Sequence, residues 1–279
     1  MKIVTLNYSN TNTYLIKGSK GNLLFDTGWA GTYPAFCGCM GENGEKVQDI
    51  DYVLISHFHP DHMGIAQEIA DEGAVIAVCD VQKDFVHSSD SVFAKENRRD
   101  YRPIDDGKVR FVETDGSRDF LSELGIEGSI FHTPGHSDDS ISLLLDSGEL
   151  FVGDLNPLYE LEMHRGTVIE ESWNMLLSHK PSKVYYGHAR AAVLEKGIKG
   201  LIGNIFGQKN REENVPDPSK NQSLVASIMK YVDKGYSCDL ICKKTHSDKE
   251  FVQDVMRMYL THPGVSVQGI LDRIEIKGR

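Results

Sequence analysis

The stretch that most constrains this chain is Ser56-His57-Phe58-His59-Pro60-Asp61-His62, which follows directly on the apolar run Tyr52–Ile55. That run reads as a strand buried on both faces, so the polar stretch after it is anchored at a sheet edge. His57 and His59, two apart in an extended segment, project to the same side. Asp61 and His62 sit a turn further on, at the start of a helix, and reach a neighbouring position. One loop can therefore offer two ligands to each of two adjacent metal ions. Imidazole nitrogens with carboxylate oxygens suit a borderline cation such as zinc. The chain has 11 histidines among 279 residues, and a chance match to this pattern has odds of about one in a thousand. A patch of solvated surface histidines is the competing reading.

The rest of the chain supplies matching donors. Strands are read at Lys2–Leu6, Thr13–Ile16, Asn22–Phe25, Ala74–Val78, Lys108–Glu113, Ser129–His132, Ser140–Leu145, Glu149–Val152 and Lys183–Tyr186. Helices are read at Met63–Asp71, stopped by Gly73, and at Glu170–His179. Trp29–Gly44 is a stretch rich in glycine and aromatic residues, with Trp29–Met40 read as a loop, and 80–106 reads as a helix and long loop that cover something. His136 lies just past a strand in Thr133-Pro134-Gly135-His136, Asp154 follows Phe151-Val152-Gly153, and His188 follows Tyr186-Gly187. Each stands at the carboxyl end of a strand, the edge where α/β sheets commonly place ligands. Singly, each reads as a loop or capping residue. Together with the histidine loop they complete a set of seven donors for two metals.

From about residue 205 the character changes. Asn210–Ser219 is polar and reads as a linker, and helices are read at Gln222–Lys234, Lys249–Leu260 and Val265–Arg273. Residues 1–204 carry 18 basic and 31 acidic side chains, a balance of −13, while 205–279 carry 12 and 10, a balance of +2. The expected organisation is a catalytic domain over 1–204 and a helical extension over 205–279, the latter a docking or dimer segment, so a homodimer is open. The acidic body argues against a nucleic-acid partner. No apolar run reaches the roughly 18 residues of a membrane span, and the N-terminus reads as a strand rather than a signal peptide. Five cysteines, Cys37, Cys39, Cys79, Cys238 and Cys242, suit a reducing compartment, and a cytoplasmic protein is expected. Cys238 and Cys242 stand at helical spacing.

His57-x-His59-x-Asp61-His62, then His136, Asp154 and His188 in that order, resembles the metallo-β-lactamase superfamily over roughly residues 1–200. Asp26-Thr27-Gly28 at the end of an early strand matches a recurring element of that superfamily. Within it, Thr133-Pro134-Gly135-His136 followed by Gly153-Asp154 is most similar to the glyoxalase II-like hydrolase branch. The resemblance implies an α/β fold, a four-layer αββα sandwich with the metals at one edge, here with a small C-terminal helical appendage. It implies that His57, His59 and His136 bind the first metal, that Asp61, His62 and His188 bind the second, and that Asp154 bridges them. Asp26 would support a ligand imidazole and fix its tautomer. Leu155-Asn156-Pro157-Leu158-Tyr159-Glu160 does not match the glutathione-binding stretch of glyoxalase II, so the glutathione thioester does not carry over.

The expected cofactors are two divalent ions, zinc first, with iron or manganese as alternatives. Two such ions can share a hydroxide that attacks an electrophilic centre without a protein nucleophile. The expected enzyme is a metallohydrolase acting on an ester, thioester, lactone or phosphodiester bond of a small molecule, with Asp61 and Asp154 as catalytic carboxylates. A metal-dependent RNA or DNA phosphodiesterase and an iron-dependent persulfide or redox enzyme are the alternatives. Tyr33, Phe36, Tyr159 and His164 are candidates for the substrate pocket.

Overall fold

Alternation of large apolar residues along the strands decides the layering. In the computed structural model of the chain, Leu15, Leu24, Val53, Ile55, Ile76 and Val78 belong to one core. Their strand neighbours Tyr14, Ile16, Leu23, Phe25, Leu54 and Ala77 belong to another. Successive strand residues face opposite sides, so a sheet that is apolar at both parities must be covered on both faces. The structure describes residues 1–158, 161, 164–194, 218–234, 238–245, 247, 251–252 and 255–256.

The first sheet has six strands in chain order: β1 (Lys2–Leu6), β2 (Thr13–Lys17), β3 (Asn22–Phe25), β4 (Tyr52–Leu54), β5 (Val75–Cys79) and β6 (Val109–Val112). Its first two pairings are antiparallel and the rest parallel. The second sheet comprises β7 (Gly128–His132), β8 (Ile141–Leu145), β9 (Glu149–Phe151), β10 (Lys183–Tyr185) and β11 (Ala192–Val193), in the order β11-β10-β9-β8-β7. Ile130, Ile141, Leu143, Leu145, Phe151 and Tyr185 join the second core; the two sheets therefore face each other across it.

Helices α1 (Tyr33–Glu42), α2 (Pro60–Met63), α3 (Ala66–Asp71) and α4 (Asp90–Lys95) bury Phe36, Met40, Met63, Ile69 and Phe93 against the outer face of the first sheet. Helix α5 (Ser117–Glu123) places Phe120 and Leu121 in the inter-sheet core. Helix α6 (Val168–Ser178) packs Trp173 and Leu176 on Leu150, Val152 and Val184, the outer face of the second sheet. The order of layers is helix, sheet, sheet, helix.

The chain divides into two compact units, Met1–Gly203 and Asn204–Arg279. In the second, helices α7 (Pro218–Asp233) and α8 (Cys238–Thr245) share a small core of Val225, Ile228, Ile241, Phe251, Val252 and Val255. Among the described residues, no helix is long and apolar enough to cross a membrane.

The structure corrects several sequence readings. The stretch 29–40, read as a loop, holds most of α1. The two glycines of α1, Gly38 and Gly41, weaken helix propensity, but Phe36 and Met40 at i,i+4 bury one face, and Pro34 sits in the first turn. The single helix expected at Met63–Asp71 is broken between α2 and α3. A Cβ on Gly64 would lie 2.3 Å from the Ala30 nitrogen, so two backbones meet at the break. Helix α5 and strand β11 carry no reading from the sequence. Helix α7 begins at Pro218, inside the stretch read as a linker. The rest of that stretch, part of the Lys249–Leu260 helix and all of Val265–Arg273 lie outside the described residues.

Candidate metal centre

Strand ends deliver the donors to one place. His57 and His59 follow β4, and Asp61 and His62 lie in α2. His136 sits in the β7–β8 loop, Asp154 after β9 and His188 after β10. Strands β9 and β10 are parallel, and their pairing continues as the Gly187 N–H donates to the Gly153 carbonyl at 2.7 Å. Asp154 and His188 therefore stand side by side. A Cβ on Gly187 would lie 2.5 Å from Asp154 Oδ1, so only glycine lets the backbone close on this carboxylate.

Three groups result, each with its donor atoms within 4.8 Å of one another: His57/His59/His136, Asp61/His62/His188 and His57/His62/Asp154. His59 Nδ1 lies 3.0 Å from His57 Nε2 and 3.1 Å from His136 Nε2. His188 Nε2 lies 3.3 Å from His62 Nε2 and 3.0 Å from Asp61 Oδ2. Asp154 stands between the first two groups, with Oδ1 3.2 Å from His62 Nε2 and Oδ2 3.6 Å from His136 Nε2 and 3.4 Å from His188 Nε2.

The surroundings fix which ring nitrogens carry protons. Asp26 is fully buried and accepts from the Ser56 N–H at 2.7 Å, the Ser56 hydroxyl at 2.9 Å and His62 Nδ1–H at 2.9 Å. The Ser56 hydroxyl, having given its hydrogen to Asp26, accepts from His57 Nδ1–H at 3.0 Å. His188 Nδ1–H donates to the Asn10 carbonyl at 2.9 Å. In neutral rings, His57, His62 and His188 thus all turn an Nε2 lone pair toward the centre. Asp26 does this from a left-handed backbone, φ +63°, a conformation a non-glycine residue keeps only where its surroundings impose it.

These donors fit divalent cations. Imidazole nitrogens converge with carboxylate oxygens beside them, the donor types that a borderline cation takes. Asp154 Oδ1 is buried and makes no hydrogen bond among the described residues, with His62 Nε2 3.2 Å away. Without a cation, protons supply positive charge at His62 and His188. Burial works against a charged His62, but the Asp26 and Asp154 carboxylates outweigh it and push its pKa up to about 10. Burial likewise opposes His188, and Asp154 with Asp61 pushes it up to about 11. The same pairs outweigh burial at Asp154 and hold it far below the usual carboxylate range. Asp61 is lowered too, its bond to His188 overcoming burial. Burial drives His57 well below the ordinary histidine value and lowers His136.

A sequence model of the metallo-beta-lactamase superfamily matches residues 6–188, from the end of β1 to the last of the seven donors. The chain belongs to that superfamily. It is 28% identical over 212 residues to a beta-lactamase-like protein 2 homolog of Drosophila melanogaster, covering 73% of this chain and 65% of the relative. It is 27% identical over 146 residues to an atrochrysone carboxyl ACP thioesterase of Aspergillus terreus, covering 52% of this chain and 38% of that protein. The chain thus spans less than two thirds of either. Among solved structures, TTHA1623 in a di-iron-bound form has the same fold, with TM-score 0.52, 22% identity and coverage of 69% of this chain and 94% of that one.

The superfamily's fold leaves the expected pocket residues in different places. Phe36 has no exposed surface and packs in the core against Tyr8, ring centroids 5.2 Å apart. It has no area to offer a substrate, which corrects its assignment. Tyr33 is half-buried on α1 beside Phe36. His164 is half-buried before α6, its carbonyl accepting from Thr167, and joins none of the three donor groups. Tyr159 lies outside the described residues. Sequence reasoning missed the buried braces Ser56, Gln82 and Asp139. Gln82 is fully buried, and its Nε2 donates to the Ile55 and Asp139 carbonyls at 3.0 and 3.1 Å. Isolated polar residues of this kind carry no periodic signal; only Ser56, beside His57, lay within the motif.

Proposed function

We propose that this superfamily member is a hydrolase that holds two divalent cations and cleaves an ester-type bond in a small molecule. Zinc is the first expectation, with iron or manganese as alternatives. The observation that carries this reading is the convergence of seven donors with three imidazole tautomers fixed from behind and an unpaired carboxylate oxygen at the centre. His57, His59 and His136 would hold one cation and Asp61, His62 and His188 the other, with Asp154 shared. Bound divalent ions supply Lewis-acid polarisation of a carbonyl or phosphoryl group and lower the pKa of water.

The chain's own residues do the remaining work. Asp26, through His62 and Ser56, keeps two imidazoles in the ligating tautomer. Asp154, 15% exposed at its side chain, stays ionised between the two groups and would serve both as an anionic ligand. Among ester, thioester, lactone and phosphodiester bonds, the thioesterase named among the relatives favours a thioester. The acidic body favours a small substrate over a nucleic acid. Free Cys37, Cys39, Cys79 and Cys242 fit a cytoplasmic setting.

The test is hydrolysis of aryl esters, acyl thioesters, lactones and bis-aryl phosphodiesters by metal-loaded protein. Thioester cleavage should lead the panel, and Asp154→Ala should lower it by about 10²–10⁴-fold while the fold survives. Near-native turnover in that variant would reduce Asp154 to a loop residue. RNA as the only substrate cleaved would replace this reading with the nuclease.

A further inference from the structure

One further buried carboxylate lies beside the seven donors and outside their three groups. Asp139 is 2% exposed and lies three residues after His136 in the β7–β8 loop. Its Oδ2 accepts from the Phe58 backbone N–H at 2.7 Å, and Phe58 is the residue between His57 and His59. The other side of Phe58 is also held: its carbonyl accepts from Ser89 Oγ at 2.5 Å and Ser88 Oγ at 3.3 Å. Its ring is buried in the core of the first sheet. The residue that sets the spacing of the two histidines is thus gripped at its N–H, its carbonyl and its ring.

Asp139 is itself fixed from behind. Its carbonyl accepts from Gln82 Nε2 at 3.1 Å, and the same Gln82 nitrogen donates to the Ile55 carbonyl at the end of β4. The Ile141 N–H donates to the Ser56 carbonyl at 2.8 Å. The loop bearing His136 and the loop bearing His57 and His59 are therefore tied together, and Asp139 makes the tie that falls between the ligands. A buried carboxylate is a costly acceptor for one amide, where a hydroxyl would serve. Next to divalent cations its charge is compensated: Asp61 and Asp154 bring two negative charges, and the buried Asp26 and Asp139 bring two more.

Building on the metallohydrolase reading, we propose that Asp139 is a positioning residue that sets the spacing of His57, His59 and His136 and so the cation affinity of that group. Asp26 braces one imidazole in each group through side chains, and Asp139 acts on the first group through a backbone amide. Braces behind the ligands typically change metal affinity by about 10–100-fold.

The experiment is zinc titration against a chromophoric chelator in two backgrounds. His188→Ala leaves the His57/His59/His136 group intact, and there Asp139→Ala should weaken zinc by about 10–100-fold. His136→Ala leaves Asp61/His62/His188 intact, and there the same change should alter affinity by no more than about twofold. Asp139→Asn keeps an acceptor without the charge and should fall between Asp139→Ala and the parent in the first background. Unchanged affinity of Asp139→Ala in the first background, or an equal loss in both, would overturn the proposal. If Asp139→Ala does not fold, Asp139→Asn decides, and affinity equal to its parent in the first background would overturn it. A wild-type chain that takes up no zinc would overturn the metallohydrolase reading and this proposal together. Wild-type uptake of two zinc ions with indifferent Asp139 variants would overturn the proposal alone.

Discussion

Asp26→Asn replaces one carboxylate oxygen with an amide nitrogen and should disable both metal groups without unfolding the protein. The carboxylate accepts from the Ser56 N–H at Oδ1, and from the Ser56 hydroxyl and His62 Nδ1–H at Oδ2. An asparagine must turn its NH₂ toward one of these positions. Facing the backbone N–H, it would oppose donor to donor at 2.7 Å with no escape. Facing Oδ2's partners, it can donate to both, because a hydroxyl rotates and an imidazole changes tautomer. The second arrangement is the cheaper one, and it has two consequences. His62 presents a lone pair at Nδ1 and carries its proton on Nε2, toward the centre. The Ser56 hydroxyl turns to donate to His57 Nδ1, so that ring also protonates its Nε2. One atom thus turns a ligand in each group into a donor. Affinity should fall by about 10–100-fold at each, about 1.4–2.7 kcal/mol per metal. Asparagine also tolerates the left-handed backbone of this position, so the variant should still fold, but the metal-free form loses the carboxylate charge that holds a protonated His62 and should melt below wild type. Asp26→Ala instead strands three buried donors at about 1–3 kcal/mol each and should lower stability outright. Chelator competition for zinc with parallel thermal melts measures both effects. Wild-type affinity for two zinc ions in Asp26→Asn would refute the tautomer argument.

Metal uptake should release protons. With His62 raised to about 10 and His188 to about 11, this pair holds proton charge at pH 7 in metal-free protein, and a cation must displace it. Calorimetry in buffers of different ionisation enthalpy should show net proton release on metal uptake at pH 7, with affinity rising as pH rises. No release would contradict the assignment. Because these folded values lie above the ordinary 6.5, their contribution to metal-free stability is complete below that pH and is lost as pH climbs through 10 and 11. A chain ended after Gly203 should fold and bind metal, because all three cores of the first unit are built from earlier residues; an insoluble product would contradict this.

The strands were legible because burial on both faces leaves near-continuous apolar runs such as Tyr52–Ile55, and because glycine punctuates them at Gly73 and Gly148. The donor set was legible because it is local in sequence at 57–62 and otherwise sits at strand ends. What escaped reading has physical causes. Helix α1 is held by Phe36 and Met40 in the core against the weak propensity of Gly38 and Gly41, and tertiary burial of this kind leaves little local trace. Phe36 looked like a pocket residue because an aromatic in a glycine-rich stretch has no face until the helix forms. Gln82 and Asp139 are single polar residues in irregular segments, and their importance lies in partners 27 and 81 positions away. No spacing within one segment encodes such contacts.

Elemental analysis of the folded chain, purified gently and then equilibrated with zinc, iron or manganese, counts the cations it holds. Seven convergent donors around a shared carboxylate predict about two metal ions per chain, retained through gel filtration. One ion or none at saturating supply would contradict the two-metal centre.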